Sequence, residues 1–453
     1  MFPMDPTPMR YPKVALINPG KAMRLAQIAP LSLGSLAAYL EKHGINVRIF
    51  DEPVGEDIES GLLAFAPDLV GITVLTPQAS RAYEIARFCR ERGWKTVLGG
   101  PHASVMPEEA LEHADHVVVG EGEQALLDLA MHGREERIVP QGFVRSLDDL
   151  PRPAFHLMQT EFYAHTRQRH PFGLSFYFAP RSARLGYLNT SRGCPEQCTF
   201  CHNTWNRLPM RYHSPERVID DIQYLIRAHR IDALVFVDDD FFRNRKRATE
   251  ICQLLLDKDI KLLWACNARA DELSPELLRL ARQAGCRQLC LGLESGSQRT
   301  LDVLAKRMTV EQNAAAVALC HSAGLLSAAN FIIGCPDERL EDIRLTERFI
   351  KENDLDCIGV SYCTPFPGTQ LWKDCVARGL LRPPWRWDDY LLDQVSVQVS
   401  PYLTIPQLIA IRARLLRSFV LKPKVFAAFL GRSIREPRLA LAKARAVLLP
   451  RAL

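Results

Sequence analysis

Short apolar runs alternate with helix-spaced segments along most of this chain, and no other feature restricts its fold as much. Lys13–Asn18 (KVALIN), Val47–Phe50, Leu69–Leu75 (LVGITVL), Thr96–Leu98 and His116–Val119 have the length and character of strands. Helical patterns lie between them, such as Leu31–His43, closed by Gly44, and Ser80–Arg92. A second series follows, with strand-like runs at Leu185–Thr190, Ala233–Val237, Leu263–Cys266, Gln288–Leu293, Ala329–Ile333 and Cys357–Tyr362. Pro215–His229, Arg247–Lys258, Ser274–Ala284 and Val310–Ala323 read as the helices that separate them. Such alternation implies parallel strands with helices packed on the sheet.

The expected fold class is therefore α/β: a doubly wound, Rossmann-like domain, then a partial (β/α)6 barrel of TIM type, then a helical tail. The boundaries read as 1–139 for the first domain and 140–184 for a proline-bearing linker. The barrel then spans 185–384, and a basic helical region spans 385–453. With 453 residues, 47% of them apolar and 24% charged, the chain can bury sizeable cores. The N-terminus has no apolar signal segment, and no apolar run approaches the ~20 residues that span a bilayer, so a cytoplasmic location is the default expectation.

In parallel sheets, ligands bind at the carboxyl ends of the strands. Three strand ends of the first domain carry glycine or small polar residues: Thr73 to Thr76, Gly99-Gly100-Pro101-His102, and Gly120-Glu121-Gly122 followed by Glu123. One such turn is ordinary loop chemistry, whereas three in one sheet point to a ligand cleft that lets backbone approach closely.

The 13 cysteines are odd in number and argue for thiols or metal ligands rather than a disulfide framework. Cys89, Cys252, Cys320 and Cys375 stand alone and read as small buried thiols. Only Cys194, Cys198 and Cys201 are tightly spaced, as C-x3-C-x2-C directly after the first barrel strand. Three thiolates on one loop can hold three irons of a 4Fe-4S cluster and leave the fourth open to a small chelating molecule. Structural zinc is the competing reading, but it usually needs a second pair at ribbon spacing, which is missing after His202.

With Phe200 just before the third cysteine, this loop resembles the signature of the radical S-adenosylmethionine superfamily. The resemblance implies a 4Fe-4S cluster on the three cysteines, with methionine chelating the open iron and reductive cleavage giving a 5′-deoxyadenosyl radical. It also implies cofactor-binding roles at later strand ends. Asp238 and Asp239, in the triplet Asp238-Asp-Asp240, correspond to the position that binds the methionine amino group. Asn267 and Arg269 follow the third barrel strand, and Glu294 and Ser295 the fourth. Arg269 suits a carboxylate because its guanidinium forms a paired fork.

The first domain resembles the cobalamin (B12)-binding domain of B12-dependent radical enzymes, on Pro30 to Gly34, Pro67 to Gly71, Gly99 to His102 and Gly120 to Glu123. This implies a corrin tail near Thr73, Thr76, Gly99 and Gly100. The D-x-H-x-x-G motif of many B12 domains is replaced by Asn18-Pro-Gly-Lys-Ala-Met, so the cobalamin is expected base-off with no histidine lower ligand. A vestigial domain without corrin is the competing reading.

The family implies a methyltransferase acting on an unactivated carbon or phosphorus of a small-molecule or lipid-like substrate, with both cofactors facing one cleft. Radical cyclisation or rearrangement, as in the anaerobic magnesium-protoporphyrin ester cyclase, is the rival enzyme reading. A corrinoid sensor or carrier is the rival of another class. An electron donor such as flavodoxin or ferredoxin is implied. Cys335 and Cys363, near the ends of the last two barrel strands, read as buried thiols rather than catalytic groups.

From Pro401 onward there are 11 Lys/Arg and one acidic residue, Glu436, so the tail nets +10 and the rest of the chain −5. It reads as an amphipathic helical cap whose cations face water, or as a peripheral contact with an anionic membrane. No nucleic-acid-binding motif is present.

Overall fold

The computed structural model describes residues 9–20, 28–165, 178–180, 182–202 and 208–426. The chain divides into two compact units, the first running to Tyr163 and the second from Ala164.

The first unit is built on six parallel strands: β1 (Lys13–Asn18), β2 (Asn46–Asp51), β3 (Leu69–Thr73), β4 (Lys95–Gly99), β5 (His116–Gly120) and β6 (Ile138–Gly142). Their order is β2-β1-β3-β4-β5-β6, which reverses between β1 and β3. A reversal of this kind opens a crevice at the carboxyl ends of the strands, where α/β sheets bind ligands. Val14 to Ile17 are almost wholly buried, as expected of a central strand covered on both faces.

The sixth strand lies in a stretch read from the sequence as linker. It sits on the sheet edge, where Pro140 removes no hydrogen bond that an inner strand would need. The chain that follows returns to the same unit. Tyr163 Oη donates to Asp51 Oδ2 at 2.6 Å, and a Cβ on Gly34 would meet Met158 Cε at 2.9 Å.

The second unit carries six parallel strands in sequential order: β7 (Leu185–Leu188), β10 (Ala233–Phe236), β11 (Leu263–Ala268), β12 (Cys286–Glu294), β13 (Leu326–Ile333) and β14 (Cys357–Tyr362). A short antiparallel ribbon, β8 (Ser191–Arg192) with β9 (Arg211–Tyr212), stands apart from this sheet. Each expected barrel strand and separating helix is present, with ends shifted by up to a few residues. The helices start where capping chemistry puts them. Ser214 and Ser274 accept from the backbone N–H groups of Arg217 and Leu277, and Pro215 and Pro275 occupy the first turns.

Helix Ile405–Val420 packs on β14 and on helix Leu340–Glu352. Its cations do not simply face water, which corrects one expectation. Arg412 Nε donates to Val360 O at 2.8 Å, and Arg414 Nε lies 3.1 Å from Glu347 Oε2. Just beyond the helix, Lys424 Nζ reaches both Asp354 and Asp356. Burying the apolar face of this helix brings the long cationic stems within reach of carbonyls and acids on the barrel. The tail from 427 lies outside the described residues. Among the described residues, no helix is long and apolar enough to cross a membrane.

Candidate functional site

The cysteine loop leaves β7 and is fixed from below by Asp238. This aspartate is 1% exposed. Its Oδ1 accepts from the Thr190 N–H at 2.7 Å, the Ser191 N–H at 2.6 Å and Ser191 Oγ at 2.8 Å, and its Oδ2 accepts from Thr190 Oγ1 at 2.7 Å. Burial raises its pKa, while these bonds and Arg247 oppose the rise. Arg247 also donates to Thr190 O at 2.9 Å. Asp238 is thus engaged as an anchor, its carboxylate already accepting four hydrogen bonds from the start of the loop.

Asp240, not singled out from the sequence, is the unoccupied acid. It is equally buried, and neither carboxylate oxygen has a hydrogen-bond partner among the described residues. Burial, then repulsion from Glu272, pushes its pKa up to about 7, against the opposing pull of the Arg269 backbone and of the Arg269 and Arg243 side chains. In the turn beyond β10, Asp238 and Asp240 are buried while Asp239 between them is exposed.

Cys198 is buried and Cys194 and Cys201 are partly so, and none of them is in a disulfide. The Cys201 N–H donates to Cys198 O at 3.1 Å, giving the loop a tight turn. Gly193 opens it at φ +94, a conformation that favours glycine. The loop is tied to distant parts of the unit, with the Thr199 N–H on Leu304 O at 2.9 Å and the Leu371 N–H on Thr199 O at 2.8 Å. Phe200 packs against a core cluster that includes Leu304, Cys335, Cys363 and Leu371. Burial pushes the Cys198 thiol up, while Lys306 and Arg269 draw it down.

The remaining expected ligands are engaged with protein partners. Arg269 forks onto Asp271, Nε to Oδ1 and Nη2 to Oδ2, both at 3.0 Å. Asn267 is exposed and donates through Nδ2 to Asp238 O at 2.9 Å. Glu294 pairs with Lys306 at 2.9 Å. Ser295 is buried against Thr346, with its Oγ 3.1 Å from Thr346 Oγ1. Lys306 and Glu196, the latter 3.1 Å from Arg243, were not legible as site residues because each depends on a loop conformation.

The donor set fits a 4Fe-4S cluster: three unoxidised thiols on one loop, with buried cations acting on Cys198. No three His, Cys, Asp or Glu side chains among the described residues converge as for a single ion. A cubane does not ask for that, since each thiolate takes a different iron. Asp240 fits a small ammonium group by the same test, as a buried acid whose oxygens have no hydrogen-bond partner among the described residues.

In the first unit, the carboxyl edge of the sheet is lined by backbone. Gly100 has φ +89, and a Cβ there would stand 2.7 Å from Thr73 Oγ1. The Val74 N–H donates to Gly99 O at 2.8 Å, and the Gly120 N–H to Ser104 Oγ at 3.0 Å. Thr73, Gly99, Pro101, Gly120, Glu121 and Gly122 are partly exposed along this edge, and Glu121 accepts from the Val144 N–H at 2.7 Å. Thr76 and His102 lie beneath it. His102 is fully buried, with Nδ1 3.2 Å from Thr76 Oγ1 and Nε2 3.6 Å from Glu109. An edge of glycines and small polar groups fits a broad corrin. In the replaced D-x-H-x-x-G motif the histidine position falls on Gly20, whose N–H donates to Glu52 Oε2 at 2.5 Å; residues 21–27 lie outside the described residues.

Two family models match the chain, the Radical SAM superfamily over residues 188–350 and the B12 binding domain over residues 22–130. An uncharacterised methyltransferase of Pyrococcus horikoshii is 29% identical, over 92% of this chain and 94% of its own. The anaerobic magnesium-protoporphyrin IX monomethyl ester cyclase of Rubrivivax gelatinosus is 28% identical, over 80% of this chain and 70% of its own. The bacteriochlorophyllide d C-8(2)-methyltransferase of Chlorobaculum tepidum is 30% identical, over 69% of each. Among solved structures, the radical S-adenosylmethionine methyltransferase TsrM of Kitasatospora setae, with cobalamin and a 4Fe-4S cluster bound, has the same fold. Its TM-score is 0.65 at 20% identity, covering 82% of this chain and 76% of TsrM.

Proposed function

The chain belongs to the B12-binding radical S-adenosylmethionine enzymes, and on that footing we propose that it methylates an unactivated carbon, or a phosphorus centre, of a small-molecule or lipid-like substrate. The observation that carries this reading is the presence in one chain of an anchored three-thiol loop and a B12-type sheet whose carboxyl edge is open backbone. Methyltransferases among the relatives agree with it.

When bound, the cluster supplies the electron that splits S-adenosylmethionine into a 5′-deoxyadenosyl radical, and cobalamin carries the methyl group. The residues of this chain do the rest. Cys194, Cys198 and Cys201 hold the iron. Asp238 holds the loop that carries them. Asp240 receives the methionine ammonium, whose charge would favour its ionised form. Asn267, exposed at the end of β11, stays available to the nucleoside. Thr73, Gly99, Gly100 and Gly120 offer backbone and small side chains to a corrin that is base-off, with His102 buried away from it.

In this reading residues 1–139 form the B12 domain and 185–384 the radical core. A flavodoxin or ferredoxin delivers the electron. The basic tail beyond the packed helix contacts anionic lipid, and vesicle flotation with and without residues 427–453 tests that point.

The deciding experiment is product accounting under anaerobic turnover. Methyl transfer yields S-adenosylhomocysteine together with 5′-deoxyadenosine. Cyclisation, which the magnesium-protoporphyrin ester cyclase relative keeps in view, gives 5′-deoxyadenosine without stoichiometric S-adenosylhomocysteine and would replace the proposal.

A further inference from the structure

Beside the cysteine loop lies a buried ion pair that the family resemblance does not account for. Lys306 Nζ stands 2.9 Å from Glu294 Oε1, and both residues are at most 7% exposed. The backbone around them is unusual. Six non-glycine residues among those described have positive φ, and three of them, Glu294 at +62, Ala305 at +50 and Arg307 at +54, frame this pair. Each such conformation is strained for a side-chain-bearing residue and persists only where the surroundings enforce it. Gly292 makes the room, since a Cβ there would lie 2.6 Å from Glu294 Oε1 and 3.0 Å from Lys306 Nζ. The turn carrying Lys306 is joined to the loop, because Leu304 O accepts from the Thr199 N–H at 2.9 Å. Arg269 adds a bond from Nη2 to Lys306 O at 3.3 Å.

A buried pair is weak as a source of stability, since desolvation offsets its attraction. Three strained residues and a required glycine around it call for another role. We propose that Lys306, held by Glu294, is a positioning residue that fixes the charge next to Cys198 and so sets the reduction potential of the cluster on the three cysteines. This rests on the cluster reading above. Cluster potential depends on nearby net charge, and a fixed cation favours the reduced, more negative state. Burial works against the ammonium charge, and the Glu294 carboxylate beside it holds that charge in place.

The test is anaerobic reconstitution of the full chain with iron and sulfide, then redox titration followed by the electron paramagnetic resonance of the reduced cluster, without S-adenosylmethionine. Lys306→Met should lower the reduced-to-oxidised ratio at fixed potential about tenfold, about 59 mV for one electron. Glu294→Gln should shift it in the opposite direction. Lys306→Arg should restore the wild-type value. Failure of the wild type to take up a cluster defeats the underlying reading rather than this proposal. A normal wild-type cluster whose potential ignores both neutral variants, or moves the same way in both, overturns the proposal. So does a change confined to S-adenosylmethionine affinity, which would make Lys306 a ligand. Should a neutral variant not fold, Lys306→Arg and Gly292→Ala decide. The first must keep the potential, and the second, which pushes on both ends of the pair, must move it.

Discussion

The two parallel sheets present opposite kinds of carboxyl edge. That of the first unit is mostly backbone: Gly99, Gly100 and Gly120, with Thr73 the nearest partly exposed side chain and His102 sunk beneath. That of the second is crowded with buried charge, Asp238, Asp240, Arg269, Glu294 and Lys306 all being nearly inaccessible. A backbone edge suits a large ligand recognised by shape and by contact over a broad face. A charged edge suits a small zwitterion and an anionic cluster, whose charges must be matched at fixed points. The contrast teaches that most charges at the second edge serve one another. Asp238, Arg269 and Glu294 are committed to protein partners, which leaves Asp240 as the acid held ready.

The largest effect should come from Cys198→Ala, which removes 5′-deoxyadenosine formation entirely while cobalamin absorption is retained. Chromatographic assay and a visible spectrum of the same sample check whether the edges are independent. A wild type that forms no 5′-deoxyadenosine, with a cobalamin-linked function that survives the substitution, would instead favour a corrinoid sensor.

Asp238→Ala should rank next. It takes the acceptor from four hydrogen bonds, two to backbone N–H groups, and breaking a buried charged network costs roughly 3–5 kcal/mol. Urea unfolding and iron content after reconstitution should both fall.

Asp240→Asn should do the reverse to the apoprotein. A carboxyl raised from 3.8 to about 7 carries a penalty of up to about 4 kcal/mol when ionised. The folded form keeps a proton that the unfolded form releases, so this group removes stability as pH rises from about 4 to 7. The variant should therefore gain on the wild type between pH 5 and 8 in urea midpoints, while binding S-adenosylmethionine more weakly. Equal midpoint differences at the two pH values would show that Asp240 is not the strained acid.

The smallest effect is expected from Gly100→Ala. Its Cβ would crowd Thr73 Oγ1 and the Val74 nitrogen at a positive φ, costing about 1–3 kcal/mol. Cobalamin uptake should drop with iron content unchanged. If iron falls as well, the contrast between the edges fails.

The second sheet was legible in the sequence because its strands are nearly all apolar and its helices begin at Ser-Pro and Thr caps. β6 was not, since an edge strand of five residues with an internal proline carries little period-2 pattern. The cysteine loop was legible by spacing alone. The division of labour among Asp238, Asp239 and Asp240 was hidden, because three identical side chains in a row differ only in which way a strand end turns them. The pairing of Glu294 with Lys306 was hidden for a related reason. It depends on left-handed turns at residues with no glycine to announce them. His102 read as a contact because it follows Gly99-Gly100-Pro101, yet the helix that begins there rotates it under the sheet edge.

The two backbone bonds that hold Thr199, one to Leu304 and one from Leu371, also order events in time. A ribosome makes the thiols long before it makes the segments that shape the loop around them. On a half-finished chain the three sulfurs hang from an unsupported turn, exposed to stray metals and to oxidation. Iron–sulfur delivery to this protein therefore belongs after both segments have been made and folded onto the loop, and conditions that slow the folding of this last part of the unit should lower cofactor content even where the cysteines themselves are untouched.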